Sequence, residues 1–194
     1  MAGRRGMRFL FVIAIVGLVS VGGVRAEAAG PGYKRSVGRY AVPDVVLVNQ
    51  DGAKVRLQSL TESGKPVILD FIYGTCTTIC PVLSAGYTSV QSKIGPDTRK
   101  VQLISISIDP EHDTPKIMKG YLNQYRAKPG WDFLTGSRED IDRVMKAFDS
   151  YIPDKMLHKQ VTFIRGQGPG EWVRIDGLLG STDLMNEIGK ASNK

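Results

Sequence analysis

The chain has 194 residues, and its 26 lysines and arginines outnumber its 19 acidic residues to give a formal net charge of +7. Four of these positive charges lie among the first 26 residues, which contain no acid, so the remainder of the chain carries +3. That remainder has no basic block of the kind that favours a nucleic-acid-binding protein. Its length suits one domain with a sizeable core.

The first 26 residues predict a secretory signal. Arg4, Arg5 and Arg8 precede an apolar run over residues 9–19, and small residues follow as far as Ala26. A basic segment, a short apolar segment and a small-residue cleavage site are typical of signal peptides. The alternative is an uncleaved N-terminal anchor that associates the protein with a membrane, although the run is short for a span of about 20 residues. We expect an exported protein, in the periplasm or on the outer face of the inner membrane.

The rest of the chain predicts an α/β fold. Residues 27–42, rich in glycine, predict a flexible arm, and residues 43–194 predict one domain. Apolar periodicity and turn residues predict in that domain, in order, a hairpin over 45–57, a strand over 67–72, a helix over 81–94, a strand over 100–108, a helix after Asp113, a strand over 131–135, a helix capped by Ser137, a hairpin over 161–175 and a helix over 181–190. This order predicts a central sheet with helices on both faces and an N-terminal β-hairpin.

The only two cysteines, Cys76 and Cys80, follow the buried strand predicted over 67–72. Gly74 permits a turn, and Pro81 suits the first turn of a helix. If the cysteines have helical spacing, their Cβ atoms lie about 5–6 Å apart on one face. Two sulfurs at that distance can bind one metal ion or close a disulfide. A helix N-terminus also favours the thiolate, the form that binds metals and attacks disulfides.

A structural disulfide is the usual interpretation of two cysteines in an exported protein. A bridge stabilises mainly by closing a long loop, however, and this spacing closes a very short one. Cysteines this close at a strand–helix junction favour redox or metal chemistry. The junction also lies past the carboxyl end of a central strand, where open α/β sheets place their sites.

Three features resemble the SCO/SenC family of copper-binding proteins. They are the cysteine segment 75–81, the acidic segment 106–115 and a late histidine, His158. The resemblance runs from about residue 43 to residue 189. It implies a thioredoxin-like fold with a central mixed sheet.

The resemblance also implies that Cys76, Cys80 and His158 bind one copper ion, as Cu(I) or Cu(II). Thiolates are soft ligands that suit Cu(I), and imidazole suits copper in either state. Three protein ligands leave one position open for transfer of the ion.

The other candidate residues receive plainer interpretations. His112 is predicted to be a surface loop histidine without a ligand role, although acids flank it. Asp109 is expected to form a turn and Asp113 to cap a helix, with partner docking as a further hypothesis. The methionines are not spaced as a copper-binding motif and are interpreted as core or surface filler.

The family leaves three functions open for the chain. The first is a cell-envelope chaperone that delivers copper to the copper-bearing subunit of cytochrome c oxidase while its copper centre is assembled, in contact with other copper chaperones or thiol reductases. The second is a thiol–disulfide oxidoreductase that reduces the cysteines of that centre through a redox-active Cys76–Cys80 disulfide, with Cys76 as attacker. The third is a redox or copper sensor. Three residues between the cysteines and the lack of a proline before Val161 favour a metallochaperone over an enzyme.

Overall fold

A computed structural model describes residues 32–168 and 170–192 and shows a mixed eight-stranded sheet. The strands are β1 (Tyr33–Gly38), β2 (Val46–Asn49), β3 (Lys54–Arg56), β4 (Val67–Ile72), β5 (Gln102–Ser107), β6 (Trp131–Thr135), β7 (Val161–Arg165) and β8 (Trp172–Gly177). Their order across the sheet is β1-β8-β7-β4-β5-β6-β2-β3. The pairs β4–β5 and β5–β6 are parallel and the other pairs are antiparallel. The predicted α/β architecture is confirmed.

Helices cover both faces of this sheet. They are α1 (Leu57–Thr61), α2 (Cys80–Ile94), α3 (Pro115–Gln124), α4 (Arg138–Ala147) and α5 (Ser181–Ser192), with short 3-10 turns at Thr98–Lys100 and Lys155–Leu157. The sequence predicted all of these helices except α1. The hydroxyls of Ser84 on α2 and Tyr121 on α3 are 2.8 Å apart, which joins these helices on one face. α5 packs beside α2 on that face and also contacts β7.

An aromatic cluster forms the core of the opposite face. Phe148, at the end of α4, has its ring centre 6.1 Å from Phe71 of β4 and 4.9 Å from Phe163 of β7. Its ring also lies 5.3 Å from Trp172 and 5.5 Å from Tyr40. Edge-to-face and stacked contacts of this kind add about 0.5–1.5 kcal/mol each to the free energy of burying the rings. The cluster joins α4 to three adjacent strands.

The helix starts follow local chemistry. Thr114 caps α3, with its side chain accepting a hydrogen bond from the N–H of Ile117 at 3.4 Å, and Pro115 occupies the first turn. Ser137 caps α4 by accepting from the N–H of Asp140 at 3.1 Å. These contacts involve residues three apart in sequence, so the capping pattern is visible in the sequence alone.

Strand β4 determines which segments meet at the site. All six of its residues are buried. It pairs in parallel with β5 and antiparallel with β7. The carboxyl ends of β4 and β5 therefore lie at the same edge of the sheet as the start of β7. The three segments at that edge, residues 73–79, 108–114 and 154–160, bring together the residues that the sequence singled out.

The N-terminal arm differs from its predicted state over residues 33–38. These residues form β1, which pairs with β8 from Tyr33 opposite Gly177 to Gly38 opposite Trp172. The pairing supplies partners for the backbone groups of β8, which would otherwise be an open edge. Residues 27–31 and the predicted signal lie outside the described residues. Within 32–168 and 170–192, no helix is long and apolar enough to span a membrane.

The contact between the end of β7 and α5 gives a stability prediction. A Cβ on Gly166 would lie 1.8 Å from the carbonyl oxygen of Ala191, so Gly166→Ala forces the backbone of α5 to move. We expect the free energy of unfolding in urea to fall by about 1–3 kcal/mol. Gly189→Ala is the matched control, because its Cβ meets nothing within 4 Å in the described chain. Helix propensity should make this control more stable by about 0.5–1 kcal/mol. If the free energy of unfolding of Gly166→Ala equals that of the wild type, the close contact between Gly166 and α5 is contradicted.

Candidate metal centre

The two cysteines lie at the junction between β4 and α2. The N–H of Cys76 donates to the carbonyl of Tyr73 at 3.1 Å, so a tight turn places Cys76 ahead of the helix. Cys80 is the first residue of α2. Cys76 is 6% exposed and Cys80 is 0% exposed, and both are free thiols. Only Cys80 is helical, so the pair does not have the helical i,i+4 geometry considered from the sequence.

The sulfur of Cys76 receives hydrogen bonds from the start of α2. The N–H of Cys80 lies 3.5 Å from Cys76 Sγ, and among the described residues no side chain caps this helix. Burial raises the pKa of Cys76, but hydrogen bonds from the Cys80 thiol and from the backbone N–H groups of residues 78–80 outweigh it and lower the pKa to about 7. The positive end of the helix dipole acts in the same direction. A large fraction of Cys76 is therefore thiolate near neutral pH.

Cys80 has the opposite character. Burial, and next its contact with Cys76, raise the pKa of Cys80 well above its ordinary value, and the charge of Asp70 adds to this. The pKa values of the two thiols are therefore shifted in opposite directions. Cys76 supplies the reactive thiolate, and Cys80 keeps its proton until a metal ion or an oxidation step displaces it.

Asp70 lies in the middle of β4, in an otherwise apolar strand. It is fully buried, and neither carboxyl oxygen has a hydrogen-bond partner in the described part of the chain. Burial raises the pKa of Asp70 to about 7, and the nearby hydroxyls of Ser105 and Tyr87 offset this only in part. The sequence analysis missed this residue, although a lone acid within the run 67–72 is a signal that could have identified it.

Asp113 fixes the cysteine loop to the end of β5. Its carboxylate accepts from the N–H of Gly74 at 3.0 and 3.1 Å and from the hydroxyl of Ser107 at 2.5 Å. A Cβ on Gly74 would lie 2.7 Å from Asp113 Oδ1, so this close approach requires glycine. The side chain of Asp113 does not cap α3 as predicted, because Thr114 is the capping residue. Its role is to hold the loop between Ile72 and Cys80.

Asp109 joins the same strand end to the histidine loop. Its carboxylate is 2.5 Å from Lys155 Nζ and 2.9 Å from His112 Nδ1, and it is itself buried. Lys155 belongs to the 3-10 turn that precedes His158. The side chain of His112 is 67% exposed and bound to Asp109. This position agrees with the interpretation of His112 as a surface histidine.

His158 lies between that 3-10 turn and β7, with its ring against the end of β4. Its Nε2 is 2.6 Å from the carbonyl oxygen of Phe71. A carbonyl only accepts hydrogen bonds, so Nε2 carries the proton and Nδ1 keeps a free lone pair in the neutral ring. Burial lowers the pKa of His158, and the Phe71 carbonyl opposes this only in part. The ring is therefore neutral near pH 7, which is the form that binds metal ions.

The three predicted ligands lie at the same end of the sheet, but they do not surround a common position where a metal ion could bind. Across 32–168 and 170–192, no group of three or more His, Cys, Asp or Glu side chains is placed to hold a metal ion. Cys76 and Cys80 are in contact, and His158 faces the strand that leads to them. Binding of one ion by all three residues would require their side chains to come closer together.

Tyr73 and Met156 also lie at this edge; the sequence analysis interpreted Met156 as filler and gave Tyr73 no role. The hydroxyl of Tyr73 lies 3.9 Å from Met156 Sδ. Burial, followed by the charge of Cys76 and a hydrogen bond to it, raises the pKa of Tyr73 to about 12. The phenol stays protonated and can donate to a neighbouring sulfur. No short-range pattern links residues 83 positions apart.

Comparison with known proteins decides the family. The SCO1/SenC family model matches residues 37–167, which is more than half of the chain. The chain belongs to the SCO1/SenC family. It is 36% identical over 163 residues to the SCO1 protein homolog of Bacillus subtilis, covering 79% of this chain and 83% of that protein.

Solved structures of family members confirm the thioredoxin-like fold. BsSco, a member of the Sco family of cytochrome c oxidase assembly proteins with a disulfide switch, matches with a TM-score of 0.66 and 32% identity. That match covers 79% of this chain and 94% of BsSco. Copper-bound ScoI of Bradyrhizobium japonicum matches with a TM-score of 0.59 and 25% identity, covering 75% of this chain and 96% of ScoI.

The opposite pKa shifts of Cys76 and Cys80 give a pH prediction for the reduced, metal-free protein. The rate at which iodoacetamide alkylates Cys76 should rise through about pH 7 and then level off, because the thiolate fraction is then complete. Cys80 should react slowly throughout. Mass spectrometry of timed samples distinguishes the two sites. Protein unfolded in urea is the control, in which both thiols should titrate near pH 8.5. A Cys76 rate that still rises tenfold per unit above about pH 8 would contradict the assignment.

Proposed function

We propose that this SCO1/SenC protein is a copper chaperone of the cell envelope that delivers copper to cytochrome c oxidase during assembly of its copper centre. The observation that carries the proposal is the Cys76 thiolate just before α2, in contact with Cys80, with a neutral His158 at the same end of the sheet. The family and its copper-bound members support it. Copper is then the cargo, and Cys76, Cys80 and His158 are its ligands.

The donor set fits copper. Two sulfurs suit Cu(I), and the free Nδ1 of a neutral imidazole suits either oxidation state. Histidines that bind metal ions commonly donate their other ring N–H to a carbonyl or carboxylate, as His158 does to Phe71. In this proposal the loop 154–160 moves to bring the ring toward the sulfurs. Three ligands leave an open position from which a partner can take the ion.

The surrounding residues position the thiols and control their protons. Copper binding displaces the proton of Cys80, so affinity should fall as the pH falls. The Tyr73 phenol stays protonated, so it can donate a hydrogen bond to a nearby sulfur. The carboxylate of Asp113 keeps the loop in place through the N–H of Gly74. The chain thus provides a fixed pair of sulfurs and one movable nitrogen.

The N-terminal pattern supports the location that this function needs. A basic segment and an apolar segment before Ala26 would carry the domain to the periplasm or hold it on the outer face of the inner membrane. The proposed partner is the copper-bearing subunit of the oxidase. Other copper chaperones or thiol reductases would load the protein with copper or keep its thiols reduced.

A thiol–disulfide oxidoreductase is the second candidate. It is favoured by the opposite pKa shifts of the two thiols, which give one attacking thiolate and one protonated partner. The Cys76 thiolate would attack a disulfide to form a mixed disulfide, and Cys80 would then resolve it and release the reduced partner. Cys80 must lose its proton in that step, and the buried Asp70 lies close enough to raise its pKa. The two functions compete for the same sulfurs, so one set of variants can separate them.

Copper titration tests the ligand set. Cys76→Ser and Cys80→Ser should each weaken Cu(I) binding more than about tenfold, because each change removes a soft ligand. His158→Ala should weaken binding by a similar factor and remove the Cu(II)–thiolate absorption band. His112→Ala is the matched control, because that ring contacts Asp109 and lies on an exposed loop. Equal losses in the two histidine variants would contradict the assignment of His158, and undiminished binding by the oxidised protein would contradict the shared sulfurs.

Oxidase assembly in cells separates chaperone from reductase. His158→Ala should abolish assembly of the oxidase copper centre if copper transfer is the task, whereas attack on a disulfide needs no imidazole from this loop. Assembly is measured by oxidase activity and copper content, with Cys76→Ser as the inactive reference for both functions. Near-normal assembly in His158→Ala cells would favour the reductase. Fractionation of the same cells should place the protein in the envelope, and a cytoplasmic location would contradict export.

A further inference from the structure

A cavity lies at the end of the sheet opposite to the cysteines. Its volume is about 660 Å³, and its walls come from β1, the residues after β1, the ends of β7 and β8, and the last turn of α5. Four of its lining residues are cationic: Arg35, Arg39, Arg165 and Lys190. The proposed copper function uses none of them.

Two of these cations share one buried carboxylate. Glu187, which is 1% exposed, lies 2.8 Å from Arg35 Nε and 2.9 Å from Lys190 Nζ. A single acid thus serves two positive side chains. Arg39 and Arg165 form no ion pair with any described carboxylate. The acidic side chains of the described residues therefore neutralise only part of the positive charge on the cavity wall.

Arg165 is the unusual member of the group. It is the last residue of β7 and is only 7% exposed, and its Nε has no hydrogen-bond partner within the described structure. Its guanidinium carbon lies 4.8 Å from the centre of the Trp172 ring, which provides stacking but no acceptor. Burial lowers the pKa of Arg165. A buried N–H without an acceptor is costly, and an anion in the cavity would supply the acceptor that the Nε of Arg165 lacks among the described residues.

Two acids lie in the neighbourhood of this arginine, one on the cavity wall and one acting on it only through its charge, and neither forms an ion pair with it. Glu171 lies on the cavity wall and is exposed. The charge of Glu62 raises the pKa of Arg165, but Glu62 is not within ion-pair distance. Water can fill the cavity but cannot neutralise the guanidinium.

We propose that this cavity is an anion site that binds a phosphate group, carried either by a soluble phosphate compound or by a lipid headgroup. The guanidinium fork matches phosphate oxygens, and charge-assisted hydrogen bonds to phosphate are strong. Arg39, Arg165 and Lys190 come from three different segments of the chain and line one cavity. Several cations in one cavity suit a doubly charged phosphate better than a singly charged carboxylate. Val37 and Val173 on the same wall can contact the apolar part of the molecule.

The test is calorimetric titration of the purified protein with inorganic phosphate, glycerol phosphate and acetate. Wild-type protein should bind the two phosphates saturably, and Arg165→Gln and Arg39→Gln should each weaken that binding about tenfold or more. Arg99→Gln is the matched control, because this exposed arginine lies outside the cavity and should keep binding within about twofold. Phosphate should also raise the midpoint of thermal unfolding in wild type and in the control.

The outcomes decide the proposal and the source of the ligand. The absence of saturable binding at about 10 mM phosphate, or equal binding of acetate, would overturn the site. Equal phosphate affinity in Arg39→Gln and Arg99→Gln would also overturn it, and Arg39 is exposed, so this readout survives if Arg165→Gln fails to fold. Vesicles of phosphatidylglycerol that bind wild type but not Arg39→Gln would identify a lipid headgroup. Binding of glycerol phosphate without vesicle binding would identify a soluble ligand.

Discussion

The burial of β4 between a parallel and an antiparallel neighbour is the constraint on which this molecule depends. A strand buried on both faces is largely apolar, as β4 is apart from Asp70, and a slip of one residue would exchange the side chains on its two faces. Its register therefore determines the ends of β5 and β7 as well. Three loops consequently meet at one edge of the sheet. Hydrogen bonds between these loops, through Asp109 and Asp113, then hold the site in place.

The chemistry of the site comes from the different surroundings of two thiols, those of Cys76 and Cys80. Cys76 receives N–H donors from an otherwise uncapped helix, whereas Cys80 lies inside the core near Asp70. Backbone N–H groups stabilise a thiolate without placing a cation next to it, so a copper ion does not have to displace a paired lysine or arginine. The same inequality favours attack by Cys76 on a disulfide. The two proposed functions, metal transfer and thiol exchange, would therefore use the same pair of sulfurs.

In the proposed copper function, the histidine is the part of the site that moves. Its ring is held by one hydrogen bond to Phe71, and its loop is held by the ion pair between Lys155 and Asp109. The neighbouring side chains of Met156 and Leu157 are exposed, so moving this turn would disturb little buried apolar surface. At the other end of β7, Arg165 lines the basic cavity. One strand thus separates the proposed metal and phosphate sites.

The sequence by itself determined the features that rest on short-range chemistry: the Ser137 cap of α4, the buried strand at 67–72, the turn at Gly74 and the placement of the cysteines at a strand–helix junction. Neighbours along the chain specify all of these. Only the tertiary structure decided that residues 33–38 form an edge strand, that Asp113 binds Gly74, and that His158 binds Phe71. It also decided the burial of Asp70 and Arg165. These features depend on which distant strands pair, and their polar groups acquire partners, or lack them, only when the sheet closes.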